Sequence, residues 1–249
     1  MRIAVVADVH ANLPALQAVL QEIDALGVDD ILCLGDTVGY NAQPNECLDL
    51  VLERCRQVVA GNHDCDVVTG HRASGTHHIA SIVQDWTRER LSSDRLNALL
   101  SLPHTISADG YSARHGAFLG GEPTIGYVTS TMLEENLRSI RSTMRASTVA
   151  FCGHTHIPLI GWLDGDDCVE PRIDATDVEW PKDASAVLIN PGAVGQPRDR
   201  DPRAAFAIVD FERRIVRWHR VPYDLRDAAD ALARSGLPSE LIDRLMEGR

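Results

Sequence analysis

The chain has 249 residues, of which 44% are hydrophobic, and its charges sum to −12. This length and apolar content suffice for one large globular domain, and we expect residues 1–249 to form a single domain. The acidic balance argues against nucleic acid as a bulk partner, because proteins that bind the phosphate backbone carry a basic surface. The single lysine, Lys182, argues against Schiff-base chemistry and against a lysine-bearing phosphate loop.

The six cysteines are scattered and form no C-x-x-C pair. The apolar run over residues 3–7 is too short for a signal peptide or a membrane span. These features predict a cytoplasmic protein with reduced thiols and no membrane partner. They give no indication of the oligomeric state.

The first sixty residues alternate between strand and helix patterns. Short apolar runs rich in β-branched residues predict three strands, over residues 2–7, 30–34 and 57–60. Helical spacing predicts two helices between them, over residues 13–26 and 46–54. Asn12 is the expected N-cap of the first helix, and Gly27 ends it. The alternating order predicts an α/β sheet with parallel strands and helices packed on it.

The rest of the chain mixes helices with hairpins. Helical spacing predicts two helices within residues 76–100, a helix after the capping box of Thr131 and Glu134, and C-terminal helices over about residues 224–246. A hairpin over residues 105–115 is expected to turn at Asp109-Gly110. Residues 148–152 form another buried strand, and residues 158–221 contain several more.

Residues typical of metal ligands follow the first two predicted strands. Asp8-Val9-His10 ends the first strand, where residues i and i+2 point the same way and can grip one ion. Asp36, in a Gly-Asp turn, follows the second. Open α/β sheets bind ligands at the carboxyl ends of their strands, so these side chains should converge. Taken alone, the first motif is more often a capping aspartate with a loop histidine, and the second is equally an ordinary turn.

Two later motifs carry more weight. After the third strand, Gly61-Asn62-His63-Asp64 offers an amide oxygen for a metal, a histidine that can donate a proton, and a carboxylate that can hold the histidine's other nitrogen. After the strand over residues 148–152, His154 and His156 place two imidazoles on one side. A solvated turn is the alternative for either motif.

Together these segments resemble the calcineurin-like metallophosphoesterases, whose pattern is D-x-H, G-D, G-N-H-D, a single histidine and G-H-x-H in this order. His115 matches the single histidine, although Gly-Ala-Phe follows it where the small prokaryotic branch usually has Gly-Ser-Pro. Residues 190–199, with the sequence NPGAVGQPRD, and residues 86–103 also resemble that branch. The resemblance therefore extends over nearly the whole chain. It implies a four-layer αββα sandwich, in which two mixed β-sheets pack face to face with helices outside.

The resemblance also implies a set of metal ligands. The first ion would be bound by Asp8, His10 and His156, the second by Asn62, His115 and His154, and Asp36 would bridge both. These would be two divalent transition-metal ions, with Mn(II) expected first. The mixed oxygen and nitrogen donors also suit Fe, Zn, Ni or Co.

Phosphoester hydrolysis is the reaction that this resemblance implies. Two ions about 3.5–4 Å apart would activate a shared hydroxide that attacks phosphorus in line. His63 would protonate the leaving alkoxide while Asp64 fixes its tautomer. Asn62 and His63 would contact the substrate. Arg198 could bind its phosphate, although a role as a surface arginine is equally compatible with the sequence.

Short loops and the lack of a regulatory extension favour a phosphodiesterase acting on a small molecule or a nucleotide. The helices within residues 76–100 and the loop 116–129 are expected to shape its pocket. The alternatives are a phosphomonoesterase or phosphoprotein phosphatase with the same site, and a non-catalytic scaffold that retains the fold. An HD-type phosphohydrolase, which His63-Asp64 would allow, is disfavoured because that class is all-helical and this pair follows a strand.

Overall fold

The computed structural model describes residues 1–70, 78–108, 110–144, 149–173 and 177–249. The strands within these ranges are β1 (Arg2–Val6), β2 (Asp30–Cys33), β3 (Gln57–Val58), β4 (Thr105–Ala108), β5 (Tyr111–Arg114), β6 (Val149–Phe151), β7 (Leu159–Asp164), β8 (Asp167–Val169), β9 (Val178–Glu179), β10 (Ala186–Asn190), β11 (Ala204–Asp210) and β12 (Ile215–Val221). The helices are α1 (Leu13–Leu26), α2 (Pro44–Arg54), α3 (Asn62–Thr69), α4 (His78–Arg90), α5 (Ser93–Leu100), α6 (Ser130–Thr143), α7 (Leu225–Ser235) and α8 (Glu240–Glu247). No helix among the described residues is long and apolar enough to cross a membrane.

The strands form two mixed sheets of six. The first has the order β3-β2-β1-β11-β12-β9, and the second has the order β4-β5-β6-β10-β7-β8. In the first sheet β1, β2 and β3 run parallel, as the strand–helix alternation predicts, while β11 pairs antiparallel with β1. In the second sheet β5, β6 and β10 run parallel. The predicted α/β class with two mixed sheets is confirmed.

The alternation of side chains along β1 shows how the layers pack. Ile3 and Val5 lie in the core between the two sheets, together with Phe151 of the second sheet. Ala4 and Val6 point the other way and pack against α1. On the outer face of the second sheet, α6 covers β6 and β10 through its buried leucine and isoleucine side chains. The layers are therefore helix, sheet, sheet and helix, which is the predicted four-layer sandwich.

Local signals placed most helix ends correctly. The Asn12 side chain accepts a hydrogen bond from the main-chain N–H of Ala15, which confirms the predicted cap, and Gly27 follows the last turn of α1. Both helices predicted within residues 76–100 are present as α4 and α5. Residues 76 and 77, Asp109 of the hairpin turn and residue 148 lie outside the described residues.

The capping box predicted at Thr131 and Glu134 is wrong. The helix begins at Ser130, with Thr129 at the N-cap, so Thr131 already lies inside the first turn. The Thr131 hydroxyl bonds the Thr129 hydroxyl at 2.9 Å. Glu134 instead pairs with Arg138 one turn later, at 2.7 Å. The Glu134 carboxylate, which a capping box would need, forms an i,i+4 ion pair instead.

Candidate metal centre

The predicted ligands lie where the carboxyl ends of strands from both sheets meet. Asp8 and Asp36 follow β1 and β2, and Asn62 begins α3 after β3. His115 directly follows β5, and His154 lies three residues after β6. Backbone hydrogen bonds fix these loops to one another. The N–H of Asp8 donates to the Gly35 carbonyl at 3.0 Å, and the N–H of Gly153 donates to the His115 carbonyl at 2.9 Å.

The side chains are aimed by backbone strain rather than by strand geometry. The chain leaves β1 at Val6, so the expectation that Asp8 and His10 project from one strand is wrong. Instead the φ angles of Asp8, His10, Asp36, His154 and His156 are all positive, between 47° and 67°. Non-glycine residues in this region cost about 1–3 kcal/mol each and are concentrated at functional sites. Each such residue re-aims its side chain towards the centre.

Gly61 is required because Asp36 approaches it too closely for any side chain. A Cβ atom at this position would lie 2.0 Å from the Asp36 Oδ1. That oxygen accepts a hydrogen bond of 2.8 Å from the main-chain N–H of His63. The glycine of the G-N-H-D motif therefore lets one Asp36 oxygen anchor the loop and leaves Oδ2 free to face the histidines.

The first group of donor atoms consists of Asp8, His10, Asp36 and His156, all buried and all with ligand atoms within 4.8 Å of one another. His156 Nε2 lies 3.2 Å from Asp8 Oδ1. His10 Nε2 lies 3.6 Å from Asp36 Oδ2 and 3.1 Å from His156 Nε2. These are the residues that the resemblance assigned to one ion, with the expected bridging residue among them.

The second group consists of Asp36, His115 and His154, again with ligand atoms within 4.8 Å of one another. His115 Nε2 lies 3.2 Å from Asp36 Oδ2 and 3.2 Å from His154 Nδ1. Asn62 adds an amide oxygen that is buried and has no hydrogen-bond partner among the described residues. Asp36 belongs to both groups, so a single carboxylate joins them.

Three of the histidines direct Nδ1, the ring nitrogen that faces away from the donor groups, at a main-chain carbonyl oxygen. His115 Nδ1 lies 2.7 Å from the Leu34 oxygen, His10 Nδ1 lies 3.2 Å from the Val38 oxygen, and His156 Nδ1 lies 2.5 Å from the Gln196 oxygen. In a neutral imidazole this places the proton on Nδ1 and the lone pair on Nε2, as in most metal-binding histidines. The facing lone pairs of His10 and His156 would repel one another without a cation between them. The Oδ1 atoms of Asp8 and Asn62 are buried and accept no hydrogen bond from the described residues, so the whole arrangement fits metal ions.

Comparison with known proteins agrees with this geometry. Residues 1–214 match the family model described as the calcineurin-like phosphoesterase superfamily domain. The chain belongs to this superfamily. A metallophosphoesterase from Sphaerobacter thermophilus is 36% identical and superposes with a TM-score of 0.84 over 100% of this chain and 99% of that one.

Two archaeal proteins extend the likeness. An uncharacterized protein of Methanocaldococcus jannaschii is 32% identical over 247 residues, which cover 99% of this chain and 98% of that protein. A hypothetical protein from Pyrococcus horikoshii shares the fold with a TM-score of 0.78 at 21% identity, over 100% of this chain and 98% of that one. The chain is thus a metal-binding member of the phosphoesterase superfamily with the full length of these relatives.

Burial and the two carboxylates set the charge state of this phosphoesterase site. Burial alone would lower the pKa of His115, but Asp36 and Asp8 outweigh it and raise that pKa to about 10. For Asp36, burial is opposed by His115 and the neighbouring histidines, which hold its pKa well below the usual range. Burial lowers the pKa of His154 to about 3. At pH 7 the metal-free site therefore contains a protonated His115 between two ionised aspartates.

This charge state predicts proton release on metal binding. A metal ion needs the Nε2 lone pair of His115, so the proton that Asp36 holds there must leave. We expect Mn(II) to displace about one proton per chain from His115 at pH 7, and its affinity to rise about tenfold per pH unit between pH 6 and 8. Calorimetry in buffers of different ionisation enthalpy measures this release, with His78→Ala on the surface of α4 as the control. An affinity independent of pH would contradict the assignment of His115 as a ligand.

His63 lies beside the donor groups without belonging to them. It is buried against His10 and Tyr40, with ring centroids 4.9 Å and 4.5 Å away, and its Nδ1 has no hydrogen-bond partner among the described residues. Burial lowers the pKa of His63 to about 4, although the charge of Asp36 acts against this shift. His63 is thus neutral at pH 7 until an anionic group approaches, which would raise its pKa.

The role expected of Asp64 needs correction. Its carboxylate accepts hydrogen bonds from the main-chain N–H groups of Thr37, Val38 and Gly61, at 3.0, 3.2 and 2.9 Å. It therefore joins the Asp36 loop to the start of α3 and does not hold His63. Burial and the nearby charge of Asp36 raise the pKa of Asp64 to about 7, while the N–H donors oppose the shift. Asp64 positions the loop that carries Asp36.

A cavity of about 1070 Å³ opens over the metal centre. Asp36, Asn62 and His154 form its floor, and Arg198 lies at its edge. One wall comes from α3, α4 and α5, and another from residues 122–127. The prediction that the helices within residues 76–100 and the loop 116–129 shape the pocket is confirmed.

Sequence reasoning missed Tyr40 and Tyr127, which line this cavity, and Arg244, which contacts Tyr40. Tyr127 stacks on His154 with ring centroids 4.4 Å apart, and Tyr40 packs against His10 at 4.7 Å. Arg244 of α8 lies over Tyr40, with 5.1 Å between the guanidinium carbon and the ring centroid. Tyr40 follows the Gly-Asp motif closely enough to have been considered. Tyr127 and Arg244 carry no local signal, because only tertiary packing brings them to the site.

Proposed function

We propose that this protein hydrolyses a phosphodiester of a small molecule or nucleotide at a centre of two divalent transition-metal ions, with Mn(II) the expected metal. The observation that carries the proposal is Asp36, a carboxylate shared by two buried groups of ligand atoms. One ion is held by Asp8, His10, His156 and Asp36. The other is held by Asn62, His115, His154 and Asp36. A carboxylate between two such groups is typical of paired metal ions acting on phosphate esters.

When bound, such ions activate water as a nucleophile at neutral pH and neutralise charge on the phosphoryl oxygens. The protein's own side chains then orient and complete the reaction. Asn62 and His63 line the cavity together with Asp36, so a phosphoryl group bound there would lie within their reach. The negative charge of the substrate raises the pKa of His63, which donates a proton to the leaving oxygen. Because His63 is buried and shielded from water, its hydrogen bond to the leaving oxygen is stronger than it would be at the surface.

The cavity favours a diester over a monoester. Its volume of about 1070 Å³ is far larger than one phosphoryl group and leaves room for substituents on both ester oxygens. The Tyr127 ring, stacked over His154 and half exposed, offers an apolar surface for one of them. All seven proposed ligands and His63 are retained, which favours an enzyme over a scaffold that has lost catalysis.

The diester preference predicts a ratio of rates. With Mn(II) present, we expect kcat/KM for bis(p-nitrophenyl) phosphate to exceed that for p-nitrophenyl phosphate by at least about tenfold, equivalent to about 1.4 kcal/mol in transition-state binding. Both substrates release p-nitrophenolate, so one absorbance assay compares them. A preference for the monoester would retain the metal centre and reject the phosphodiesterase.

A further inference from the structure

Two arginines beside the metal centre share one acceptor. Arg198 and Arg244 each donate a hydrogen bond to the Gln196 side-chain oxygen, at 3.2 Å and 3.3 Å. Both guanidinium groups also lie over the Tyr40 ring, with 5.8 Å and 5.1 Å between each central carbon and the ring centroid. The two cations are therefore held side by side, although they lie 46 positions apart in the chain.

Among the described residues neither member of the pair has an aspartate or glutamate partner, unlike the arginines around it. Asp199 pairs with Arg220, and Asp201 pairs with Arg203 at 2.6 Å. No aspartate or glutamate side chain among the described residues forms an ion pair with Arg198 or Arg244. The Nε of Arg198 is buried and lacks a hydrogen-bond partner within the same part of the chain. In a chain of net charge −12, two adjacent arginines with no aspartate or glutamate partner among the described residues are unusual.

The cost of bringing these cations together is visible at Arg244. Burial, and then the charge of Arg198, lower its pKa. Its Nε also donates to the Arg249 oxygen at 3.3 Å, and a hydrogen bond with the Tyr40 side chain acts against the fall in its pKa. Like charges in a half-buried position are unfavourable unless an anion joins them.

One member of the pair, Arg198, lines the cavity together with Asp36 and Asn62, and contacts from α8 hold the other beside it. Leu241 and Leu245 of α8 pack in the same buried cluster as Tyr40, and the main-chain N–H of Arg200 donates to the Gly248 carbonyl at 2.9 Å. Tyr40 in turn contacts His10, a proposed metal ligand. An anion bound by both arginines would therefore lie next to the group held by the metal ions.

We propose that Arg198 and Arg244 form a second anion subsite, which binds a terminal phosphoryl group of the substrate beside the phosphoryl group at the metal centre. Two guanidinium groups carry a charge of +2, which matches a terminal phosphoryl group of about −2 better than a carboxylate of −1. Guanidinium forks also bind phosphate oxygens in pairs. The inference rests on the proposed phosphoesterase function and narrows its substrate class to compounds with at least two phosphoryl groups.

The test compares ligands with one and two phosphonate groups by calorimetry. Wild type loaded with Mn(II) is titrated with methylenediphosphonate and with methylphosphonate, neither of which can be hydrolysed at its phosphonate carbon bond. We expect Arg244→Gln to lower the affinity for methylenediphosphonate about 10- to 100-fold and to change the affinity for methylphosphonate by no more than about twofold. Only methylenediphosphonate is long enough to reach both subsites. Arg244→Lys keeps the positive charge but loses the two parallel N–H donors of the guanidinium group. Its affinity for methylenediphosphonate should therefore lie between those of wild type and Arg244→Gln. Arg234→Gln on the surface of α7 is the control of equal charge change and should alter neither affinity.

Several outcomes separate the two proposals. Association of methylenediphosphonate with Mn(II) in solution is the same for every variant, so it cancels in the comparison. An equal effect of Arg244→Gln and Arg244→Lys on both ligands, or no effect on either, would overturn the subsite. The same titrations with chelator-treated protein remove the contribution of the metal ions. If methylenediphosphonate binding depends on Arg244 while the Mn(II)-loaded wild type hydrolyses no phosphodiester, the proposed function is rejected and the anion subsite stays in place.

Discussion

Asp36→Asn is expected to lower the affinity for both metal ions and to lower kcat/KM for a phosphodiester by at least about 100-fold. Replacing a residue that only supports a ligand already costs 10- to 100-fold in metal affinity or activity. Asp36 Oδ2 faces both groups of donors, at 3.6 Å from His10 Nε2 and 3.2 Å from His115 Nε2, so its negative charge would attract a cation in either group. The amide keeps the shape and the Oδ1 contact with the His63 N–H but loses the negative charge.

Elemental analysis of the dialysed variant measures the metal content, and hydrolysis of bis(p-nitrophenyl) phosphate measures the activity. Asp230→Asn, on the exposed surface of α7, removes one carboxylate far from the centre and should behave like wild type. Circular dichroism checks that both variants are folded. Two ions per chain with full activity in Asp36→Asn would show that this residue does not bridge them.

His63→Ala is expected to keep both ions and to lose about 10²- to 10⁴-fold in turnover, which is the usual contribution of a positioned acid or base. Asp8 Oδ1, Asn62 Oδ1 and His63 Nδ1 have no hydrogen-bond partner among the described residues, so His63 Nδ1 holds neither oxygen in place. Removing it should therefore leave the donor groups in place. The loss should be greatest for leaving groups of high pKa, which need a proton most.

A series of aryl and alkyl diesters, with leaving groups of graded pKa, measures this dependence. His78→Ala on α4 is the matched control, since it removes an exposed histidine of the same type. A loss of equal size for good and poor leaving groups would argue against proton donation by His63. Loss of metal from His63→Ala would instead make it a ligand.

The convergence of the candidate ligands could be predicted from the sequence because each motif follows a strand, whereas their division between two ions came from the resemblance. Parallel strands joined by helices bring their carboxyl ends to one edge, so Asp8, Asp36 and Asn62 must approach one another. His115 and His154 follow β5 and β6, whose parallel pairing in the second sheet has the same effect. The order and spacing of the motifs then named the superfamily.

The means by which the ligands are aimed could not be predicted. A strand was assumed to carry Asp8 and His10, whereas the chain turns into a left-handed conformation at both residues. Asp64 was expected to hold His63, but its carboxylate is used by three main-chain N–H groups. Such contacts depend on the path of loops from different strands, which residue patterns do not record.

Arg244 shows the same limit over a longer distance. It lies on a C-terminal amphipathic helix whose sequence predicts only an apolar face and a solvated one. Packing of Leu241 and Leu245 in the same cluster as Tyr40 places this arginine over the Tyr40 ring and beside Gln196. The contact joins residues more than 200 positions apart, and no local pattern predicts it.

Two metal ions that act together on one phosphoester are the central element of the proposed function. Chelator-treated protein should be titrated with Mn(II) while hydrolysis of bis(p-nitrophenyl) phosphate and the bound metal are followed in parallel. We predict no turnover in the stripped protein and activity that rises until two ions are bound per chain. Full activity in the stripped protein, or at one ion per chain, would contradict the paired centre, and two bound ions without turnover of any phosphoester would favour a scaffold that retains the fold.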